Sequence, residues 1–176
     1  SLAVIGCGGI GLNLIQAASM KNAFPIVAVD KNINKKGLCI QSNASQFIND
    51  INDYSEGKID IIIDTTGIPT VITDAINKLS DQGRMILVGQ PAPDKFVQIS
   101  NALNLFNGIG KTIKATQGGK TRPEFDIPRY VKLYQNDRLK IDHLFTHRFP
   151  LVEVNKGFDL LRSGNAGRVI VSINEK

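Results

Sequence analysis

Tryptophan is absent from the sequence, and cysteine and histidine occur only twice each. Composition therefore argues against a dedicated metal centre, because a tetrahedral zinc site draws about three or four ligands mainly from those residue types. His143 and His147 are four apart, but they fall in an apolar-alternating run that reads as strand, so they share no helix face. Cys7 and Cys39 show neither metal-ligand nor disulfide spacing. That excludes a disulfide scaffold and points to a reducing, cytoplasmic compartment. No apolar run approaches the roughly 18 residues of a membrane span, so no membrane partner is expected. Charge of one sign is not concentrated either. Residues 1–116 carry 10 Lys/Arg against 9 Asp/Glu, and residues 117–176 carry 11 against 7. The net charge of +5 is scattered, without a basic cluster or interleaved aromatics, so nucleic acid is not an expected partner. What remains is an ordinary folded composition, 42% hydrophobic and 21% charged, with no repeat and no low-complexity segment.

Glycine, by contrast, is plentiful and placed. Val4-Ile5-Gly6-Cys7-Gly8-Gly9-Ile10-Gly11 reads as the end of a buried strand, a tight turn and a helix start. In the Gly6-x-Gly8-x-x-Gly11 pattern the first glycine turns the chain off the strand and the second admits a pyrophosphate. The third packs the helix on the strand. Phosphate would then sit on free amides at the positive end of the helix. Ile26 to Val29 is a second apolar run and ends in Asp30, 19 residues beyond Gly11. A carboxylate there is placed to accept from adenosine ribose hydroxyls.

Strands are expected at Leu2–Gly6, Pro25–Asp30, Phe47–Ile48, Asp60–Asp64, Arg84–Val88, Phe96–Ser100 and Thr112–Thr116. Helices are expected at Gly9–Lys21, briefly through Gln41, from Pro69 past Leu79, and over Asn101–Phe106. This alternation implies an α/β fold: a doubly wound parallel sheet of Rossmann type in the order 3-2-1-4-5-6. The ligand would cross the switch point between strands 1 and 4, where Thr65-Thr66-Gly67 ends the fourth strand. After Gly118-Gly119 the pattern changes. A helix capped by Asp126, with Pro128 in its first turn, would bury Ile127, Val131 and Tyr134. A strand at His143–Phe149, a helix closed by Ser163-Gly164 and a strand at Arg168–Ile173 complete an α/β tail. The expected division is a dinucleotide-binding domain over 1–116 and a C-terminal segment over 117–176.

Taken in order, six pieces resemble the cofactor half of the medium-chain, zinc-type alcohol dehydrogenases. They are the glycine stretch, Ile26 to Asp30, Asp64 to Gly67, Val88-Gly89-Gln90-Pro91, Lys114 to Gly119, and Gly157 to Gly164 followed by Gly167-Arg168-Val169. The resemblance implies NAD as cofactor. Gly6, Gly8, Gly9 and Gly11 would hold the pyrophosphate, and Ile10 would press on the nicotinamide. Asp30 and Lys35 would lie beside the ribose, with Lys31 and Thr66 about the adenine, where Ile68 replaces an arginine found in some members. Thr65 and Gly67 would complete that edge. Backbone groups at Val88, Ala115 and Gln117 would hold the carboxamide next to Gly89. Arg168 would reach the pyrophosphate from the tail. Gln90 and Thr116 stand where the family usually has apolar pocket residues, which points to a polyol or sugar-like alcohol or carbonyl substrate.

The resemblance further implies that catalytic residues and zinc belong to a catalytic domain lying mostly upstream. It also implies a homodimer through the sheet edge near residues 96–100. The competing reading is a regulatory nucleotide-sensing Rossmann module without catalysis.

Overall fold

Short parallel strands that read as continuous apolar runs must be covered on both faces, and the computed structural model, which describes residues 1–173, does this with one central sheet. Its strands are β1 (Leu2–Ile5), β2 (Ile26–Val29), β3 (Gln46–Ile48), β4 (Ile59–Asp64), β5 (Leu79–Leu87) and β6 (Thr112–Ala115). They lie in the order β3-β2-β1-β4-β5-β6, all parallel, as the alternation predicts. Helices α1 (Gly9–Met20), α2 (Lys36–Gln41) and α3 (Pro69–Lys78) make the crossovers. Side chains alternate across the sheet with the period of two. Ala3, Ile5, Val27 and Val29 enter one core with Ile62, Ile72 and Met85. Leu2, Val4, Ile26 and Ala28 enter the other with Leu12, Ile15 and Cys39.

Three expected elements differ. The helix from Pro69 stops at Lys78, and Leu79 already pairs with Ile59 of β4. The next pair is Ile61 with Arg84, so Ser80–Gly83 bulge out of the ladder. The Gln82-Gly83 signal marks that bulge, not a helix end. Phe96–Ser100 forms no strand: β6 takes the neighbouring place beside β5, and the alternating segment lies on the surface with Phe96 86% exposed. Thr73 ties it to α3, its hydroxyl donating to the Gln98 carbonyl at 2.8 Å and accepting from the Gln98 amide at 3.3 Å.

The tail helix α4 (Pro123–Gln135) begins earlier than predicted, with Pro123 in the first turn and Pro128 inside. Arg122, not Asp126, is the N-cap; Asp126 lies inside the first turns, its carboxylate accepting from the Arg122 amide at 2.8 Å. Ile127, Val131 and Tyr134 do share a face, but that face is exposed; with Leu139 and Ile141 it forms a shallow apolar groove. Strands β7 (Phe145–Pro150) and β8 (Arg168–Ser172) pair in parallel around helix α5 (Val154–Ser163), which Gly164 closes in the left-handed conformation as expected.

The tail is pinned where it returns to α1 and α2. Leu144 is buried in the second core, the Lys140 amide donates to Gln16 Oε1 at 2.9 Å, and His143 Nε2 meets the Ser42 hydroxyl at 2.9 Å. Burial pushes the His143 pKa below its ordinary value, against the opposite pull of Asp142 and with that of Lys140. The folded chain therefore binds fewer protons at this group than the unfolded chain. Its contribution is present above the ordinary histidine pKa and is lost as pH falls toward the depressed one. Thermal unfolding between pH 7.5 and 5.5 is expected to show a steeper loss in the wild type than in His143→Gln; equal slopes would remove His143 from the account.

Candidate functional site

The carboxyl ends of β1 and β4 face each other at the switch point, and glycines let the backbone close there. Gly6 has φ +86°, and a side chain on it would meet the Thr65 hydroxyl at 2.4 Å. A Cβ on Gly11 would lie 1.9 Å from the Gly6 carbonyl oxygen, so α1 is seated directly on the turn. Gly8 is different: φ is −78°, and nothing lies within 4 Å of where its Cβ would be. It is the N-cap and offers no side chain to the helix, whose first intrahelical bond runs from Leu12 to the Gly8 carbonyl. The amides of Gly9, Ile10 and Gly11 thus lack helical acceptors, and Ile10 stands exposed beside them.

Two carboxylates organise the loops around this turn. Asp30 Oδ2 accepts from the Cys7 amide at 2.8 Å and Oδ1 from the Asn32 amide at 2.9 Å. Asp64, fully buried, accepts from the Thr66 amide, the Thr66 hydroxyl and the Gly67 amide at 3.1, 2.6 and 2.9 Å. A buried carboxylate needs such partners, and here they shape the loop after β4. The next loop is drawn in by the Val88 and Gly89 amides, both donating to the Asp64 carbonyl. Gly67 and Gly89 make that approach possible: a Cβ on Gly67 would lie 2.4 Å from the Gln90 oxygen, and one on Gly89 2.3 Å from the Gly67 nitrogen.

A hollow lies on either side of the loop after β4. The first, about 190 Å³, is lined by Gly6, Asp30, Lys31, Thr66 and Ile68, with Asp50 and Asp74 as further acids. The second is an open groove of about 720 Å³ beyond β5 and β6, lined by Val88, Gly89, Gln90, Ala115, Thr116 and Gln117. Gly6, Asp30, Lys31 and Thr66 thus share the first hollow and Val88, Gly89, Gln90, Ala115 and Gln117 the second. Gly8, Gly9, Ile10 and Gly11 line neither and form the turn itself, and two further side chains point elsewhere. The Thr65 hydroxyl turns to the carbonyls of Ile5 and Gly6, clamping β1. Lys35 is buried and donates to the Ala166 carbonyl, so its ammonium serves the tail; burial pushes its pKa down, while Asp30 and the two cysteines pull it up. The Arg168 guanidinium lies across Gly9, where a Cβ would be 2.5 Å from Nε.

Sequence reasoning missed several participants. Asp74 looks like a solvent-facing residue of a helix stripe, and no spacing rule points to Asp50. Asn32 holds the tail through Gly164 and Asn165; its position before a short helical turn signals only a cap. Cys7 and Cys39, unrelated by any motif, interact as buried free thiols. The neighbouring Cys39 and then burial push the Cys7 thiol far above its ordinary pKa, so it stays protonated. Among the described residues no three His, Cys, Asp or Glu gather as metal ligands, and no helix is long and apolar enough to cross a membrane.

Comparison with known proteins agrees with this geometry. Residues 9–134 match the family model described as zinc-binding dehydrogenase. An NDMA-dependent alcohol dehydrogenase of Amycolatopsis methanolica is 32% identical, over 96% of this chain and 48% of its own length. An L-threonine 3-dehydrogenase of Bacillus licheniformis is 29% identical, over 97% of this chain and 50% of its own. Among solved structures, benzyl alcohol dehydrogenase from Acinetobacter calcoaceticus superposes with a TM-score of 0.89 at 26% identity, covering 98% of this chain and 49% of that one. The chain spans about half the length of the relatives it matches.

The glycines divide into two classes that substitution separates. Gly11→Ala must push α1 off the turn and is expected to cost roughly 1–3 kcal/mol, or about 2–12 °C in Tm for a chain of this size. Gly8→Ala meets open space at an ordinary φ and is expected to stay within about 0.5 kcal/mol of wild type. Identical melting curves for Gly11→Ala and wild type would contradict the close seating of α1.

Proposed function

The chain belongs to the zinc-binding dehydrogenase family, and from that premise we propose that it is the NAD-binding portion of an alcohol dehydrogenase-like oxidoreductase. The observation that carries the reading is the glycine turn, where the first amides of α1 lack helical acceptors, the space at Gly8 is open and Arg168 lies over Gly9, with the Asp30 hollow reaching Gly6 and a second groove past the loop after β4. Residues 1–116 form the cofactor domain in this reading, and 117–176 the segment that joins a catalytic half. The open cradle at Gly8 fits a pyrophosphate, and Asp30 keeps lone pairs for ribose hydroxyls beyond its two backbone bonds. Lys31, Thr66 and Ile68 flank the adenine. Because the Val88 amide is already bound by Asp64, the carbonyl is what Val88 offers a carboxamide, together with the backbone at Ala115 and Gln117. NAD, when bound, accepts or donates the hydride; this chain binds it, orients its ring against Ile10 and lines one wall of the substrate site. Gln90 and Thr116 make that wall polar, which favours a hydroxylated, polyol or sugar-like alcohol or carbonyl. The described residues do not gather a zinc ligand set, so a zinc ion would be held by the remaining half, which would also polarise the substrate oxygen and move its proton.

A 2′-phosphate would bring a second negative charge close to Asp30, with Asp50 and Asp74 lining the same hollow. Two like charges about 4 Å apart cost about 4 kcal/mol at an effective dielectric of 20, and Lys31 offsets part of this. Calorimetric titration at matched ionic strength is expected to show a clear preference for NAD over NADP, lost binding in Gly8→Ala, and no NADH formation with a panel of alcohols and added zinc. Equal affinities would overturn the choice of NAD, and substrate-dependent NADH formation would show a complete active site in this chain.

A homodimer is part of the same proposal. β6 is an edge strand with all of its residues exposed. Phe96, Leu103, Phe106 and Ile109 are large, apolar and exposed in the segment between β5 and β6. The alternation of Phe96–Ser100, unused as a strand in a single chain, is what a second copy would pair, since open edges of this kind are normally paired or covered. Light scattering at high micromolar concentration should give the dimer mass, with Val97→Lys shifting it toward monomer. A wild-type monomer would sink the dimer.

A further inference from the structure

The arginine over the pyrophosphate turn sits in the tail, far in sequence from Gly9, and a long flexible side chain is only as well placed as its backbone. Arg168 opens β8, paired with Phe145 of β7, and the Thr146 hydroxyl donates to its carbonyl at 3.3 Å; further contacts fix the residues just before it. The Asn32 carboxamide donates to the Gly164 carbonyl at 3.0 Å and to Asn165 Oδ1 at 2.8 Å. Lys35, nearly fully buried, donates to the Ala166 carbonyl. Gly167 follows, its amide donating to the Thr146 hydroxyl at 3.0 Å, and a Cβ there would lie 2.7 Å from the Leu144 carbonyl oxygen. Arg168 is the next residue. At its other end Asn32 is bound to the ribose carboxylate, its amide donating to Asp30 Oδ1 at 2.9 Å.

We propose that Asn32, seconded by Lys35, is a positioning residue for Arg168. The loop that carries the ribose carboxylate also latches residues 164–166, and through them sets the guanidinium across Gly9. The inference rests on the nucleotide-binding reading above and adds to it a coupling between the ribose loop and the tail. Arginine loses much rotamer freedom on binding, and a pre-placed stem reduces that loss. The chain of contacts Asp30–Asn32–Gly164/Asn165–Arg168 makes the pyrophosphate contact depend on a side chain that touches no phosphate.

Asn32→Ser tests this cleanly. Asn32 Oδ1 also caps the following turn by accepting from the Asn34 amide at 3.1 Å; serine keeps a capping oxygen but is too short to reach the tail and adds no charge. Asn165→Ala cuts the same contact from its exposed end. The ligands are ADP-ribose, which carries the pyrophosphate, and adenosine, which does not. Asn32→Ser is expected to weaken ADP-ribose about five- to tenfold and leave adenosine unchanged, with Asn165→Ala moving in the same direction. Arg168→Ala should weaken ADP-ribose about tenfold to a hundredfold, and adding Asn32→Ser to it should change nothing further. Equal loss for both ligands, or an additive double variant, would overturn the proposal. A ligand-free arm keeps it separate from the nucleotide reading: the heteronuclear NOE at Arg168 Nε should report an ordered side chain in the wild type and a mobile one in Asn32→Ser. If ADP-ribose does not bind the wild type, the nucleotide reading fails and this arm alone decides, with an unchanged NOE refuting the latch.

Discussion

Backbone must touch backbone at the end of the sheet, and the rest of the structure follows from that contact. Gly11 presses α1 against the Gly6 carbonyl, and Gly67 and Gly89 let the loops after β4 and β5 close on each other. Each approach is shorter than a Cβ permits. The result is a row of amides at the start of α1 with no helical acceptors, facing a space that Gly8 leaves empty. β1 pairs with β4 beside this turn, and one hollow lies on each side of the loop that follows β4. Asp64 holds the second pair of loops from within the protein, and Asp30 holds the first from its edge, so the two carboxylates perform similar work in different solvent.

The surfaces away from this site are less finished. The apolar face of α4 and the segment that leads into β6 leave large side chains in water, among them Ile127 on the first and Phe106 and Ile109 on the second, at 59%, 76% and 86% exposure. Contiguous apolar surface of this kind marks association, and the two faces lie on different elements. The tail is nevertheless attached to the rest of the fold, through Leu144 in the core, His143 on Ser42, and the Asn32 and Lys35 contacts.

The strand order, the glycine turn and the carboxylate after β2 were legible in the sequence because each is a local pattern with one physical solution, whereas Arg168 was marked only by a family resemblance. A GxGxxG turn between an apolar run and a helical stripe leaves little choice, and right-handed crossovers fix the rest. What was not legible depends on partners distant in sequence. The alternation of Phe96–Ser100 specifies a strand only if a neighbour offers an edge, and β6 occupies that place. Ile127, Val131 and Tyr134 mark a face, but periodicity cannot say whether anything covers it. Lys35 reads as a ribose neighbour until the Ala166 carbonyl arrives from 131 residues away. Leu79 belongs to a helical stripe by spacing and to β5 by its pairing with Ile59.

The central claim is that one extended dinucleotide bridges both hollows across the turn. Amide chemical-shift mapping with NAD tests it most directly. The account predicts that Gly8 to Ile10, Asp30 and Thr66 on one side, and Val88, Ala115 and Gln117 on the other, shift together along a single binding isotherm. Shifts confined to the Asp30 hollow, or two separate isotherms, would contradict it.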